Sequence, residues 1–221
     1  MRDLNQLILK LNYENNFKDN DFYVSKSNKH IFDLLLNWPK WDKNFLNISG
    51  ERCSGKTHLV KIFTKKFQGI ILNADTLNNS DIKNVKIYQN IILDDLSNKI
   101  NEELFYSLIN IIEQDNKYLI VTSRLPIVNL NFNLNDLKSR AKSFLLYNVE
   151  KPDDEMMFAI ILKNLSDKQI SLDKKLIDFI IKRIDRSYSK IFEFIYKIDE
   201  LSLKKKKSID LKIIKEVLED C

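Results

Sequence analysis

The chain has 221 residues, of which 44% are hydrophobic and 30% are charged, and its formal net charge is +5. This length and composition fit one full α/β domain with a small additional domain. No apolar run reaches the roughly 20 residues that span a bilayer, and the first residues lack the apolar core of a signal peptide. We therefore expect a cytoplasmic protein with no membrane contact. The modest charge predicts that any contact with DNA is weak or indirect.

The first elements along the chain are predicted to be a helix, a strand and a second helix. The first 20 residues are polar and irregular apart from Gln6–Leu11. A helical pattern runs from Ser27 to Trp38 and is stopped by Pro39. Phe45–Ser49 is predicted as a short buried strand, and His58–Phe63 has helical spacing.

The segment between that strand and that helix matches the phosphate-loop pattern G-x-x-x-x-G-K-[ST]. Glycine lets the backbone approach an anion, so that amide N–H groups and the positive end of the following helix surround a phosphate. Lys56 is expected to reach the outer phosphates, and the Thr57 hydroxyl to bind Mg²⁺. An ordinary surface turn is the alternative. The nucleotide-binding residues predicted from this motif are Gly50, Glu51, Arg52, Cys53, Ser54, Gly55, Lys56, Thr57 and His58.

Three more apolar runs predict further strands of one sheet. They are Gly69–Ala74, Asn90–Leu93 and Tyr118–Val121, and they alternate with helical stretches such as Asn101–Glu113. Short continuous apolar runs of this kind are typical of a parallel sheet covered by helices on both faces. Ligands bind such sheets at the carboxyl ends of the strands. The polar residues that follow these runs are therefore the next site candidates.

Two carboxylates and two hydroxyls stand at those strand ends. Asp94 is predicted to hold Mg²⁺ through water, opposite Thr57, and Asp95 to polarise an attacking water. The alternative is that the two carboxylates cap the next helix. Thr122 or Ser123 could sense a γ-phosphate by hydrogen bonding, or could be satisfied turn hydroxyls.

After Pro152 the pattern becomes entirely helical. Four amphipathic helices are predicted, over Asp154–Leu165, Asp173–Ile184, Ser189–Leu203 and Asp210–Leu218. The predicted domains are therefore a tail at residues 1–16, an α/β nucleotide-binding domain at 17–150 and a small all-α domain at 151–221.

The phosphate loop, the Asp-Asp and Thr-Ser strand ends, the helical domain and the sequence Leu-x-Ser-Arg ending at Arg140 together resemble the AAA+ ATPases of the DnaA initiator group. The resemblance covers nearly the whole chain. It implies an AAA+ fold whose helical domain is a lid, with ADP or ATP and Mg²⁺ as ligands. It also implies that Arg140 is an arginine finger, which points at the nucleotide of a neighbouring subunit. The alternative is that Arg140 forms a salt bridge within its own chain.

The same resemblance assigns the base side of the nucleotide and one position of the lid. Asp21–Asn28 is similar to the group's adenine-side segment, so Phe22 and Val24 are expected near the base. Ser189 aligns with the lid's sensor-II arginine. That arginine is therefore either missing or supplied by Arg183 or Arg186.

Two features at the ends of the chain narrow the resemblance. Gln6, Leu7, Leu9 and Leu11 are similar to the Gln-Leu-x-Leu motif that docks replication proteins on the DNA polymerase III β sliding clamp. The alternative is a disordered tail, or a strand packed on the protein's own surface. The sequence stops at Cys221, whereas DnaA initiators continue into a helix-turn-helix DNA-binding domain. Together with Thr-Ser-Arg-x-Pro and Pro152-Asp153-Asp154, these features resemble the Hda family of regulatory inactivators, and most of all its alphaproteobacterial HdaA branch.

The resemblance implies a regulator that is nucleotide-bound, docked on the clamp, and supplies Arg140 to make DnaA hydrolyse its ATP. A DnaC-type helicase loader or adaptor is the alternative, and a small-molecule kinase with a phosphate loop is a third reading. The N-terminal motif favours the regulator over the loader, and the helical lid disfavours the kinase. The sequence leaves open whether the chain hydrolyses ATP itself and whether it self-associates through AAA+ interfaces.

Overall fold

A computed structural model describes residues 22–205 and 207–219 of the chain. Within these residues one five-stranded sheet has the order β2-β3-β4-β1-β5, and all of its neighbouring strands are parallel. The strands are β1 Phe45–Ser49, β2 Gly69–Asn73, β3 Asn90–Leu96, β4 Tyr118–Ser123 and β5 Leu145–Asn148. The helices are α1 Lys29–Leu36, α2 Lys56–Phe67, α3 Asn79–Asn84, α4 Glu102–Gln114, α5 Asn135–Ala141, α6 Asp154–Asp167, α7 Lys174–Ile181, α8 Tyr188–Lys205 and α9 Leu211–Glu219.

The sheet is covered on both faces, because its strands contribute side chains to two separate apolar cores. Ile91 and Leu93 of β3 belong to the core shared with α4 and α5, whereas Ile92 between them belongs to the core shared with α1 and α2. Successive strand residues point to opposite faces, so an uninterrupted apolar run is required when helices cover both. This arrangement confirms the predicted parallel α/β fold.

Helices α6 to α9 form the lid, which has an apolar core of its own. Met157, Ile161, Ile180, Phe194 and Ile214 are all fully buried in it. Two buried lid residues are not part of that core and pack instead with α1 and the sheet. They are Met156 of α6 and Tyr188, the first residue of α8. The lid is therefore joined to the face of the sheet that carries α1 and α2.

The predicted element boundaries agree well where the hydrophobic pattern is strong. The bounds of β1 are confirmed, while β3 and β4 continue past the apolar runs into Leu96 and Ser123. Strand β5 and helices α3 and α5 were not predicted. Strand β5 has only four residues, of which Leu146 is 45% exposed, so its sequence carries little hydrophobic signal. None of the helices in the described part of the chain is both long and apolar enough to cross a bilayer.

A buried asparagine in the centre of the sheet fixes the loop that follows β4. Asn47 of β1 is fully buried, and its Nδ2 donates to the carbonyl of Val121 at 3.1 Å and to Ser123 Oγ at 2.9 Å. Its Oδ1 accepts the backbone N–H of Ile127 at 2.8 Å. The side chain thus satisfies a backbone donor that no strand neighbour reaches.

Replacing Asn47 by Leu is expected to lower the free energy of unfolding by about 2 kcal/mol, because the N–H of Ile127 loses its buried acceptor. Urea titration followed by circular dichroism measures the change. The exposed Asn79, changed to Leu as a control, should leave the midpoint within experimental scatter. Equal midpoints for the two variants would show that Asn47 does not hold this loop.

Candidate functional site

The phosphate loop connects β1 to α2 at the carboxyl edge of the sheet. Gly55 stands directly before α2 with a left-handed φ of 85°, and a Cβ there would lie 3.3 Å from the ring of Phe22. A Cβ on Gly50 would lie 3.0 Å from Cβ of Val149. Both fixed glycines of the motif are thus required by conformation or by space. Within the loop Ser54 is buried, and Arg52 and Cys53 are exposed.

Lys56 is a buried cation held by the loop itself. Its ammonium donates to the carbonyls of Gly50 and Glu51, each at 2.8 Å, and to Ser54 Oγ at 3.3 Å. Burial lowers the pKa of Lys56, and the nearby carboxylates of Asp95 and Asp94 oppose that shift. These contacts hold a positive charge at the point where the motif predicts phosphate oxygens.

Asp94 joins the ends of three elements through hydroxyl groups. Thr57 Oγ1, at the start of α2, donates to Asp94 Oδ2 at 2.9 Å, and the hydroxyl of Thr122 at the end of β4 donates to Asp94 Oδ1. Thr122 Oγ1 in turn accepts the backbone N–H of Asp95 at 2.9 Å. A hydroxyl and a carboxylate side by side are the hard oxygen ligands that Mg²⁺ prefers, so these residues fit the predicted magnesium site.

Asp95 has a strained backbone that separates it from the regular strand. Its φ is 59°, and the pairing of β3 with β4 shifts register between Leu93 and Leu96. Left-handed backbone is uncommon for residues other than glycine and costs roughly 1 kcal/mol or more. The side chain is exposed, and its negative charge opposes the lowering of the Lys56 pKa. The bulge therefore presents an exposed carboxylate beside the phosphate loop.

The hydroxyl of Ser123 is engaged within the protein. It donates to the carbonyl of Leu125 at 2.6 Å and accepts Asn47 Nδ2 at 2.9 Å, and the residue is fully buried. Its single proton would have to leave Leu125 before it could be donated to a phosphate.

The predicted base side of the nucleotide lies next to the loop. The ring of Phe22 stacks on Phe32 with centroids 5.9 Å apart and meets the edge of His58 at 5.2 Å. Val24 is 36% exposed two residues further on. Buried Asn28 ties this segment down, because its Oδ1 accepts the N–H of Ser25 at 3.0 Å and its Nδ2 donates to the carbonyl of Tyr23 at 2.9 Å.

The lid meets the phosphate loop through Glu51. Its carboxylate accepts the backbone N–H of Tyr188 at 3.0 Å and that of Ser189 at 3.2 Å. The hydroxyls of Ser187 and Ser189 donate to the same group. Burial raises the pKa of Glu51, but the four hydrogen bonds outweigh it, and the net shift is downward. The sequence placed Glu51 in the loop but did not predict this contact with the lid.

The two lid arginines considered as replacements for the sensor-II arginine make contacts inside the lid. The guanidinium of Arg183 lies 3.7 Å from the ring centroid of Phe179. Arg186 forms an ion pair with Asp154 at 2.6 Å. At the position aligned with that arginine, Ser189 contacts the phosphate loop from the lid side.

Arg140 stands near the end of α5 and forms an ion pair with Glu113 of α4, where Nη2 also donates to Asn110 at 3.4 Å. Helix α4 begins after the carboxyl end of β3 and ends shortly before β4 begins. Glu113 is in its last turn, so Arg140 lies towards the amino edge of the sheet. The phosphate loop lies at the opposite edge. The Arg140 side chain is 32% exposed.

The predicted clamp-docking residues Gln6, Leu7, Leu9 and Leu11 lie outside the described residues. Their assignment remains a prediction from the sequence.

The chain is similar in sequence to a lid-domain family and to replication initiator proteins. Residues 153–218 match the family described as the Hda lid domain. An uncharacterized protein of Haemophilus influenzae is 25% identical, covering 93% of this chain and 92% of its own length. The chromosomal replication initiator protein DnaA of Borrelia turicatae is 26% identical over 90% of this chain. The chain spans 47% of that DnaA, about half of its length.

Solved structures of DnaA share the fold. Domain III of the Thermotoga maritima replication initiation protein DnaA has a TM-score of 0.73 at 22% identity, covering 92% of this chain and 96% of that one. The AMPPCP-bound DnaA of Aquifex aeolicus has a TM-score of 0.64 at 22% identity, covering 85% and 65% respectively. With the parallel sheet and the helical lid, these matches show that the chain has the fold of DnaA domain III and carries a lid that matches the Hda lid-domain family.

Proposed function

We propose that the chain binds ADP or ATP with Mg²⁺ at the phosphate loop. The observation that carries this assignment is that three side chains meet at the carboxyl edge of the sheet. Lys56 and Thr57 stand at the start of α2, and Asp94 lies near the end of β3. The AMPPCP-bound DnaA relative, which shares the fold, supports an adenine nucleotide as the ligand.

Each residue of the site has a distinct part in this proposal. Lys56 exchanges its loop carbonyls for phosphate oxygens, while Thr57 and Asp94 hold the metal ion. When bound, Mg²⁺ neutralises part of the phosphate charge. Phe22 and Val24 border the adenine, and the exposed carboxylate of Asp95 orients a water.

Replacing Lys56 by Ala should weaken nucleotide binding by roughly tenfold or more, because a cation facing several phosphate charges is lost. Isothermal titration calorimetry with ADP and Mg²⁺ measures the affinity. Lys61, an exposed lysine on the same helix, provides the matched control when changed to Ala. Equal affinities for the wild type and Lys56→Ala would contradict the assignment of the site.

We further propose that the chain regulates chromosomal replication initiation by stimulating hydrolysis of ATP on DnaA while docked on the sliding clamp. The Hda-type lid and the DnaA relatives support DnaA as the partner. Arg140 supports action in trans, because it lies towards the edge of the sheet opposite to its own phosphate loop. A guanidinium supplied by one protein to another's nucleotide stabilises the charge of the transferred phosphoryl group.

Replacing Arg140 by Ala should remove most of the stimulation of DnaA ATP hydrolysis, since such an arginine contributes roughly 10³–10⁵ in rate. Phosphate release from radiolabelled ATP on DnaA, with DNA-loaded clamp present, is the measurement. Arg140→Lys should restore little, because an ammonium cannot reproduce the planar fork of the guanidinium.

The ion pair of Arg140 supplies the control for that experiment. Glu113→Gln breaks the same ion pair but keeps the guanidinium. If Arg140 acts on the partner's nucleotide, Glu113→Gln keeps full stimulation while Arg140→Ala loses it. An equal loss in both variants would show that Arg140 serves only the structure of this chain.

The clamp motif separates this proposal from the alternative of a DnaC-type helicase loader. Deleting residues 1–12 should abolish retention on immobilised clamp, because Gln6 and the leucines are proposed to enter an apolar groove there. ADP affinity and the unfolding midpoint should stay unchanged. Full retention of the shortened chain on the clamp would move the clamp site elsewhere, and binding to a replicative helicase instead would favour the loader.

A further inference from the structure

The first turn of α8 is closed by a residue from the other domain. A helix begins with backbone N–H groups that have no partner inside the helix. Ser187 Oγ accepts one of them, the N–H of Lys190, at 3.3 Å. The N–H groups of Tyr188 and Ser189 donate to the Glu51 carboxylate, which is more than 130 positions away in the sequence. The phosphate loop thus provides part of the N-terminal cap of a lid helix.

The Glu51 carboxylate is suited to this position by its charge and by its two oxygens. Oε1 receives the two serine hydroxyls and the N–H of Ser189, and Oε2 receives the N–H of Tyr188. Hydrogen bonds to an ionised acceptor are roughly twice as strong as neutral ones. The positive end of the α8 dipole adds a further attraction for the carboxylate.

The same residue also holds the phosphate-loop lysine. The carbonyl of Glu51 accepts Lys56 Nζ at 2.8 Å and the N–H of Ser54 at 3.3 Å. One residue therefore contacts the lid through its side chain and the phosphate-binding cation through its backbone.

We propose that Glu51 is a positioning residue, whose carboxylate anchors α8 to the phosphate loop and so holds the lid over the bound nucleotide. The nucleotide part of this statement rests on the proposed binding of ADP or ATP at the loop. The anchoring part does not, because all of its contacts are made by the chain itself. Loss of the anchor opens the lid and speeds the departure of the nucleotide.

Hydrogen–deuterium exchange on the ligand-free protein tests the anchor. In Glu51→Ala and Glu51→Gln, the amides of Tyr188 and Ser189 should exchange roughly tenfold faster than in the wild type, whereas Ile195 and Ile198 in the lid core keep their rates. Glutamine has nearly the size of glutamate, so a purely packing role predicts wild-type exchange in Glu51→Gln. Glu155→Ala, which removes an exposed lid carboxylate, is the matched control.

A double-mutant cycle with Ser189→Ala tests whether the two residues act together. If the anchor exists, Ser189→Ala has a smaller effect on exchange when Glu51 has already been replaced. Additive effects, or unchanged exchange in Glu51→Gln, would overturn the anchor whatever the protein binds.

Dissociation of a fluorescent ADP analogue tests the effect on the nucleotide. Chased with excess ADP, the analogue should leave Glu51→Gln several-fold faster than it leaves the wild type or Glu155→Ala. If the amides of Tyr188 and Ser189 exchange faster but the analogue dissociates at the wild-type rate, Glu51 only caps the helix, and its positioning role is overturned. No binding of the analogue to the wild-type protein would instead overturn the proposed function, and the exchange experiment would still decide the anchor.

Discussion

The convergence of three chain segments on the Asp94 carboxylate is the interaction on which the rest of the site depends. Thr57 reaches it from α2, Thr122 from β4, and Asp94 itself extends β3. A buried parallel sheet brings these segments to one edge because its strands all end on the same side. The hydroxyls keep the carboxylate aligned beside Lys56, and the adjacent bulge turns Asp95 outward. Nucleotide binding, as proposed, uses an arrangement that the hydrogen bonds of the protein have already formed.

The sequence predicted the features that are set by local chemistry. The phosphate loop, strand β1 and the helical lid were found because glycine spacing, apolar runs and helical periodicity act over short stretches of chain. Strand β5 was missed because it is stabilised by its pairing with β1, whereas its own four residues carry little hydrophobic pattern. Buried Asn47 escaped notice for a related reason. A polar residue inside an apolar strand is understood only when the loop after β4 is seen to need an acceptor.

Contacts between distant segments were the other part that the sequence did not reveal. In the sequence, Glu51 occupies a variable position of the phosphate loop, and its contact with α8 is visible only in the structure. The ion pair of Arg140 with Glu113 depends equally on how α5 packs on α4. Such contacts join residues that are far apart in the sequence. Local sequence patterns therefore do not predict them.

Met156 and Tyr188 have a consequence for how the molecule unfolds. Both belong to the lid by sequence, yet both are buried among residues of α1, α2 and the sheet. Separating the lid would expose these side chains and remove their support from Ile31 and Val149 in the same cluster. We therefore expect the two domains to unfold together rather than in two separate steps. A ligand that stabilises the phosphate loop is then expected to protect α9 against unfolding as well, although α9 is the last described helix of the chain and lies in the lid.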